Sequence, residues 1–350
     1  ISNPTKRGGK HTSAPLLTAT VKTNRRIVNL FAILLPLVIF GISIFIGRYP
    51  KPLFMPLDTL LNDQLGQQLV LNLRLPRLIT AALLGSSLAA AGGVMQMLFR
   101  NPLVEPGFLG VTQGAGFGAA LSILFLSISP LVIEISAAAF AVLGLLLSYF
   151  IARRIRFGGW VLRLVLSGIA VSALFSAGLG ILKYLADPTS QLPEIVFWLL
   201  GGLWAVTWND LLFILPAVVI GLVIIFLMRW RLNLLALNDE TAFSLGVAVG
   251  RERVLLLGAS VLVTAAVVSV AGIVGWIGLI IPHIARRIAG ANAAAYIPIS
   301  MSLGAAFAMI CDDIARVLTT GEIPLGILTS LLGAGIFLVM MTARSMRISR

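Results

Sequence analysis

The feature that most constrains this chain is a succession of apolar stretches, each about 20 residues long, separated by short clusters of Lys and Arg. Coiled as a helix at about 1.5 Å per residue, such a stretch crosses the roughly 30 Å hydrocarbon core of a bilayer. In lipid the backbone must satisfy its own N–H and C=O groups, which a helix does within one segment. Composition agrees, because only 11% of the 350 residues are charged and 59% are hydrophobic, against about 25% charged in a soluble domain. The mean hydropathy is +1.02. The fold class expected is therefore all-α, a polytopic membrane protein with about ten transmembrane helices. The spans fall near 27–47, 69–98, 107–127, 130–151, 161–186, 209–228, 251–271, 273–289, 295–318 and 324–342. The first follows a basic segment and is long, with no small-residue cleavage site after it, so it reads as a retained span. The stretch from Pro193 to Leu203 is too short to cross and ends in Gly201-Gly202, which suits a re-entrant or surface helix.

The net charge of +13 would suggest nucleic acid in a soluble protein. Here the basic residues sit between apolar runs, and the positive-inside rule accounts for them without a nucleic-acid partner. With a cytoplasmic N-terminus, all but Arg48, Lys51, Arg74, Arg77, Lys183 and Arg316 of the 26 Lys and Arg residues fall on the inside. That distribution implies an even number of spans with both ends cytoplasmic: a basic tail at 1–26, a membrane domain at 27–342 and a short tail at 343–350. A single cysteine, Cys311, and two histidines far apart leave no disulfide framework and no Cys/His metal cluster. The chain contains no GxxxxGK[ST], HExxH, GxSxG or CxxC pattern. It is expected to be a transport subunit with no catalytic residues, no metal and no cofactor of its own. Few ionisable residues lie within the spans, Glu134, Asp312 and Asp313 among them. An ion-coupled secondary transporter would place more there as relays, and a membrane-embedded enzyme would cluster them at one depth. Driving energy from a partner is the better expectation.

Four stretches carry more than hydrophobicity. The first begins with Arg74-Leu-Pro-Arg77 and runs through Asn101-Pro102-Leu103 to Glu105-Pro106-Gly107. Two arginines at i and i+3 share a helix face. On the outside they oppose the charge bias, so they dock an external partner's carboxylates or snorkel to lipid phosphates. The Pro-rich turn breaks the helical pattern, either as part of a pathway wall or as a simple inside loop. The second is a cytoplasmic segment at about 236–248. Asn238 is placed to cap a short helix with Asp239 and Glu240 in its first turn, and Leu237, Thr241, Ser244 and Leu245 recur at helical spacing before Gly246. Such a helix lies on lipid or fits a partner's groove; its acidic start favours a protein. In the third, Gly272, Gly275 and Gly278 at spacing three suggest one smooth helix face ahead of Pro282. The fourth joins Asp312-Asp313 and Arg316, with Asp312 and Arg316 at pairing distance i, i+4, to Glu322-Ile-Pro324 at the opening of the last span.

Together and in this order, these stretches resemble the permeases of type II ABC importers for iron-siderophores, haem and cobalamin, the FecCD-type family. The similarity runs from about Leu69 to Met341. The resemblance implies a permease dimer, most simply a homodimer, in a bacterial or archaeal inner membrane. Two cytoplasmic ATPase subunits, holding ATP and Mg, would dock on Leu237, Asn238, Asp239, Glu240, Thr241, Ser244, Leu245 and Gly246. A periplasmic or lipid-anchored substrate-binding protein would dock on Arg74, Arg77 and Arg316. The pathway would run between the two permeases. Its inner gate would involve Asn101, Pro102 and Leu103, together with Val161 and Leu162. The cobalamin member has small hydroxyl residues where Val161 and Leu162 stand. The cargo implied is a metal chelate, with an oxyanion such as molybdate as the alternative.

Overall fold

The computed structural model describes residues 25–342. The C-terminal tail and nearly all of the basic N-terminal tail lie outside the described residues. The elements run α1 (Arg25–Phe45), β1 (Ile46–Gly47), β2 (Leu53–Phe54), α2 (Leu57–Asn62), α3 (Gln64–Leu69), α4 (Leu75–Leu98), α5 (Val111–Leu121), α6 (Pro130–Arg154), α7 (Trp160–Leu185), α8 (Gln191–Leu200), α9 (Trp208–Leu235), α10 (Asp239–Ser244), α11 (Val249–Ala271), α12 (Ile277–Ala289), α13 (Ala293–Val317) and α14 (Leu325–Thr342). A π-turn over Val70–Arg74 joins α3 to α4, and a second over Ser122–Leu126 extends α5. The two short strands form an antiparallel hairpin pairing Ile46 with Phe54.

Among the described residues, seven helices are long and apolar enough to cross a membrane: the run Gln64–Leu98, then α6, α7, α9, α11, α13 and α14. Leu34–Phe45 and Val111–Leu126 are shorter apolar helices. α9 continues to Leu235, one and a half to two turns beyond the expected end of its span. The expected non-crossing helix is present as α8, which stops at Gly201 with φ +68, a backbone state that favours glycine.

The expected eighth span differs most from its sequence reading. Residues 272–276 are not helical; Gly272 has φ +66 and Trp276 φ +72. The three glycines therefore do not form one helix face. Gly275 faces open space, whereas Gly278 is packed closely against Leu88 and Pro106. Gly272 is needed because the carbonyl of Trp198 occupies the place of its missing side chain.

α4 is the central helix, enclosed by α9, α11, α12 and α13. Its small residues make this approach possible. A Cβ on Gly85 would collide with the backbone carbonyl of Gly304 in α13, and one on Gly92 with that of Gly278 in α12. Tyr296 closes the same region, its hydroxyl donating to the Gly93 carbonyl at 2.9 Å. A second sub-bundle packs α5 between α6 and α7, and there Gly114 and Gly118 touch the α6 backbone at Phe140 and Ser136. The outer faces of α7, α9 and α14 expose large apolar side chains such as Leu174, Leu227 and Val339, the composition expected of lipid-facing helices.

Candidate functional site

The two ends of α4 lie at opposite ends of the bundle, and each carries one of the predicted charged sites. At the Arg77 end, α4 meets the C-terminal half of α13 and the α13–α14 loop. Arg77 Nε donates to both oxygens of Asp312, at 2.9 and 3.1 Å. Its Nη1 lies 2.8 Å from Glu322 Oε2. Arg316 pairs with Asp312 at 3.2 Å, the expected i, i+4 contact, and also with Asp313. Asp313 in turn accepts the Ser43 hydroxyl of α1. Arg74 Nη1 donates to the Ile44 carbonyl at 2.8 Å and its guanidinium fills the space beside Gly47, so it fastens the hairpin after α1 to the start of α4.

Arg74, Arg77 and Arg316, the residues expected to meet a substrate-binding protein, are all buried and bonded within the chain. Their charge is compensated by Asp312, Asp313 and Glu322 of the same chain. Three positive and three negative groups make a neutral cluster, which is the arrangement burial tolerates. The exposed cations nearby are Arg48, which donates to the Thr320 carbonyl at 2.6 Å, and Lys51.

At the Arg100 end, α10 is held on two sides. Arg253, at the start of α11, makes a two-pronged bond to Asp239, with Nη1 to Oδ2 at 2.9 Å and Nη2 to Oδ1 at 2.6 Å. This bond holds the Asp239 carboxyl below the usual carboxylate range. Arg253 also lies 5.0 Å over the Trp160 ring, which packs against Phe99 at 5.7 Å. Arg100 donates to the Leu237 carbonyl and, at 3.3 Å, to Asn238 Oδ1. Asn238 is the N-cap residue as expected, but its side chain does not cap the helix; it is engaged by Arg100. Ala242 and Val247 are buried beneath, and Gly246 turns the chain at φ +79. What remains outward is Leu237, Glu240, Thr241, Phe243, Ser244 and Leu245. Phe243 is 76% exposed, an aromatic left open on a segment tied down by one ion pair and by hydrogen bonds from Arg100.

The predicted gate residues lie at this same end. Asn101 Oδ1 accepts the Leu103 N–H at 2.9 Å, forming a tight turn. Asn101, Pro102, Leu103 and Leu162 are exposed and Val161 is half-buried. The Phe99–Trp160 contact draws the two sets together. After the turn, Pro106–Leu109 forms a short 3-10 helix and Gly110 takes φ +79 to start α5. Glu105, outside the spans, accepts the Trp276 N–H, and burial pushes its carboxyl up from the usual range. The break after Val104 and the break at 272–276 thus meet, with Glu105 beside Trp276 and Pro106 against Gly278.

Sequence reasoning did not find Arg100, Arg253, Trp160 or Phe243. Arg253 is 14 residues from Asp239 and Arg100 lies 137 from Leu237, separations with no local spacing rule. The class these features define is a polytopic helical permease: glycine-packed helices, buried broken backbone and a tethered helix presented at one end. The FecCD transport family model matches residues 34–343, and the chain belongs to that family, as a permease of the ABC importer type. It is 39% identical over 317 residues to the molybdate import system permease protein MolB of Haemophilus influenzae, covering 88% of this chain and 93% of that one. It is 40% identical over 289 residues to the hemin transport system permease protein HmuU of Yersinia pestis, covering 80% and 85%. A solved chain described as an inward-facing, metal-chelate type ABC transporter superposes with a TM-score of 0.84 at 37% identity, covering 90% of this chain and 98% of that one.

Proposed function

We propose that this chain forms half of the conduit of an ATP-driven importer, paired with a second permease copy, and moves a metal chelate of the iron-siderophore, haem or cobalamin class into the cytoplasm. Two ATPase subunits supply the energy and a substrate-binding protein delivers the cargo. The observation that carries the reading is α10. A six-residue helix with an exposed Phe243, Leu245 and Glu240 has no apolar reason to stay ordered alone. It is tied by Arg253 to α11 and by Arg100 to the end of α4, so a push on it reaches the two most buried spans. Coupling needs contacts that differ between two states, and a rigid surface helix meeting a nucleotide-driven partner supplies them. In this reading the Arg100 end is cytoplasmic and the Arg77 end faces the binding protein.

The test is co-expression of the chain with its ATPase, followed by transport in sealed vesicles. Replacing Phe243 by Asp, an exposed site that the fold does not need, is expected to lower substrate-stimulated ATP turnover at least about tenfold while the permease still accumulates. Uptake by the chain alone, driven by an ion gradient without ATP, overturns the proposal. Cargo is read by uptake of a labelled ferric chelate against labelled molybdate. The oxyanion reading is kept because of the extent of the match to the molybdate permease; molybdate uptake that excess chelate fails to compete would establish it.

A further inference from the structure

We propose that the open cavity lined by α6, α8, α9, the end of α11 and the loop before α14 is a binding site for an organic cation bearing a guanidinium or alkylammonium group. The inference does not depend on the importer reading, since it rests on the walls of the cavity alone. The cavity measures about 680 Å³, within the usual range of small-molecule sites. Its charged lining is wholly acidic: Glu134, Glu194, Asp210 and Glu322, with no Lys, Arg or His among the residues that border it. Glu322 is already committed to Arg77. The other three carboxylates make no ion pair among the described residues.

Glu134 is the decisive group. It is only 6% exposed, it borders the cavity, and its Oε2 has no hydrogen-bond partner. An unpaired acceptor in that position is costly and calls for a donor or a positive charge. Asp210 borders the same cavity and is a neighbour of Glu134. Its Oδ2 is occupied by the N–H and hydroxyl of Thr207, at 2.8 and 2.9 Å, which fixes the carboxylate at the first turn of α9. The two acids come from helices 76 residues apart in sequence, Glu134 against Asp210, so no local charge pattern explains the pair.

The remaining walls choose the kind of cation. Phe197, Trp198 and Trp204 line the cavity from α8 and the loop after it. Indole faces attract guanidinium and ammonium groups within about 6 Å of the ring. A hard divalent ion needs about six oxygens in a close cage, and among the described residues no three His, Cys, Asp or Glu side chains converge to hold a metal. Carboxylates and indoles lining one cavity suit a flat or alkyl-borne cation with several N–H donors, which would satisfy Glu134 and Asp210 together.

The test uses the full chain in nanodiscs and follows tryptophan fluorescence as agmatine is titrated at constant ionic strength, with N-acetyl-Gly-Arg-Gly-amide in parallel. Saturable binding of either is expected, weakened at least about tenfold by Glu134→Gln and also weakened by Trp204→Ala. If Glu134→Gln does not accumulate, Asp210→Asn and Trp204→Ala carry the comparison. Tighter binding of agmatine identifies a small solute as the source of the cation; tighter binding of the peptide identifies an arginine presented by a protein. Absence of saturation by both, binding indifferent to Glu134→Gln and Trp204→Ala, or one-for-one displacement by Mg²⁺ overturns the proposal.

Discussion

The two ends of α4 use arginine in opposite ways. At one end, Arg74, Arg77 and Arg316 are buried and, with Asp312, Asp313 and Glu322, lock α4, α13 and the α13–α14 loop into a neutral cluster. At the other, exposed Arg100 and buried Arg253 hold a surface helix by its backbone and its exposed first acid. The first arrangement fixes the relative position of spanning helices. The second fixes a lever that a partner can reach. The lesson is that charge at a helix end does not announce its role; the depth of its counter-charge does.

The largest effect expected from breaking this contrast is at Arg77. Arg77→Ala removes the two-oxygen partner of Asp312, which is fully buried, and leaves it Arg316 alone. Removing one member of a buried pair costs about 3–5 kcal/mol. We expect loss of accumulated protein in the membrane and, for what remains, a lowered unfolding midpoint in detergent. A double change of Arg77→Gln with Asp312→Asn should recover part of that loss, and failure to do so would mean that the pair is not the source.

An intermediate effect is expected at the tether. Asp239→Ala breaks a pair whose acid is mostly in solvent, so global stability should fall by no more than about 1 kcal/mol. Hydrogen exchange at the amides of residues 239–247 should nevertheless quicken at neutral pH. The Asp239 carboxyl is held low by Arg253. A folded-state value below the unfolded one, about 3.9, adds stability that is present above that value and lost as pH falls through the folded one. The tether is thus intact at neutral pH and releases only in acid, below about pH 4. Exchange unchanged by Asp239→Ala would show that Arg100 alone holds the segment.

The smallest effect sharpens the comparison from the surface side. Arg48 is exposed and bonds only backbone carbonyls. Arg48→Ala should change the unfolding free energy by less than about 0.5 kcal/mol, in contrast to its buried neighbours. A loss approaching that of Arg77→Ala would mean that the neutral cluster extends to the rim.

Much of the fold was legible because lipid imposes a simple rule. A run such as Leu211–Met228 without a charge has few alternatives to a helix. The pairing of Asp312 with Arg316 was legible too, because both lie on one helix at a fixed spacing. The break before α12 was not. Gly272-Ile-Val-Gly-Trp is as apolar as the spans around it, and the departure from helix is dictated by Trp198 and Gly201 of α8, which occupy the space that a side chain at Gly272 would need. The candidate site divides in the same way. The residues of the 236–248 segment were identifiable from their acidic, amphipathic pattern, whereas the arginines that anchor it come from distant helices.

What the sequence by itself determined is the membrane-spanning, all-helical character of the chain, because transfer into lipid is a property of residues taken one at a time. Only the tertiary structure decided which charges meet: that Arg77 is spent on Asp312, that Asp239 is spent on Arg253, and that Glu134 is left beside Asp210 at the wall of an open cavity. The physical reason is that the interaction of two charges depends on the distance and the medium between them, and neither is defined until the helices that carry them have packed.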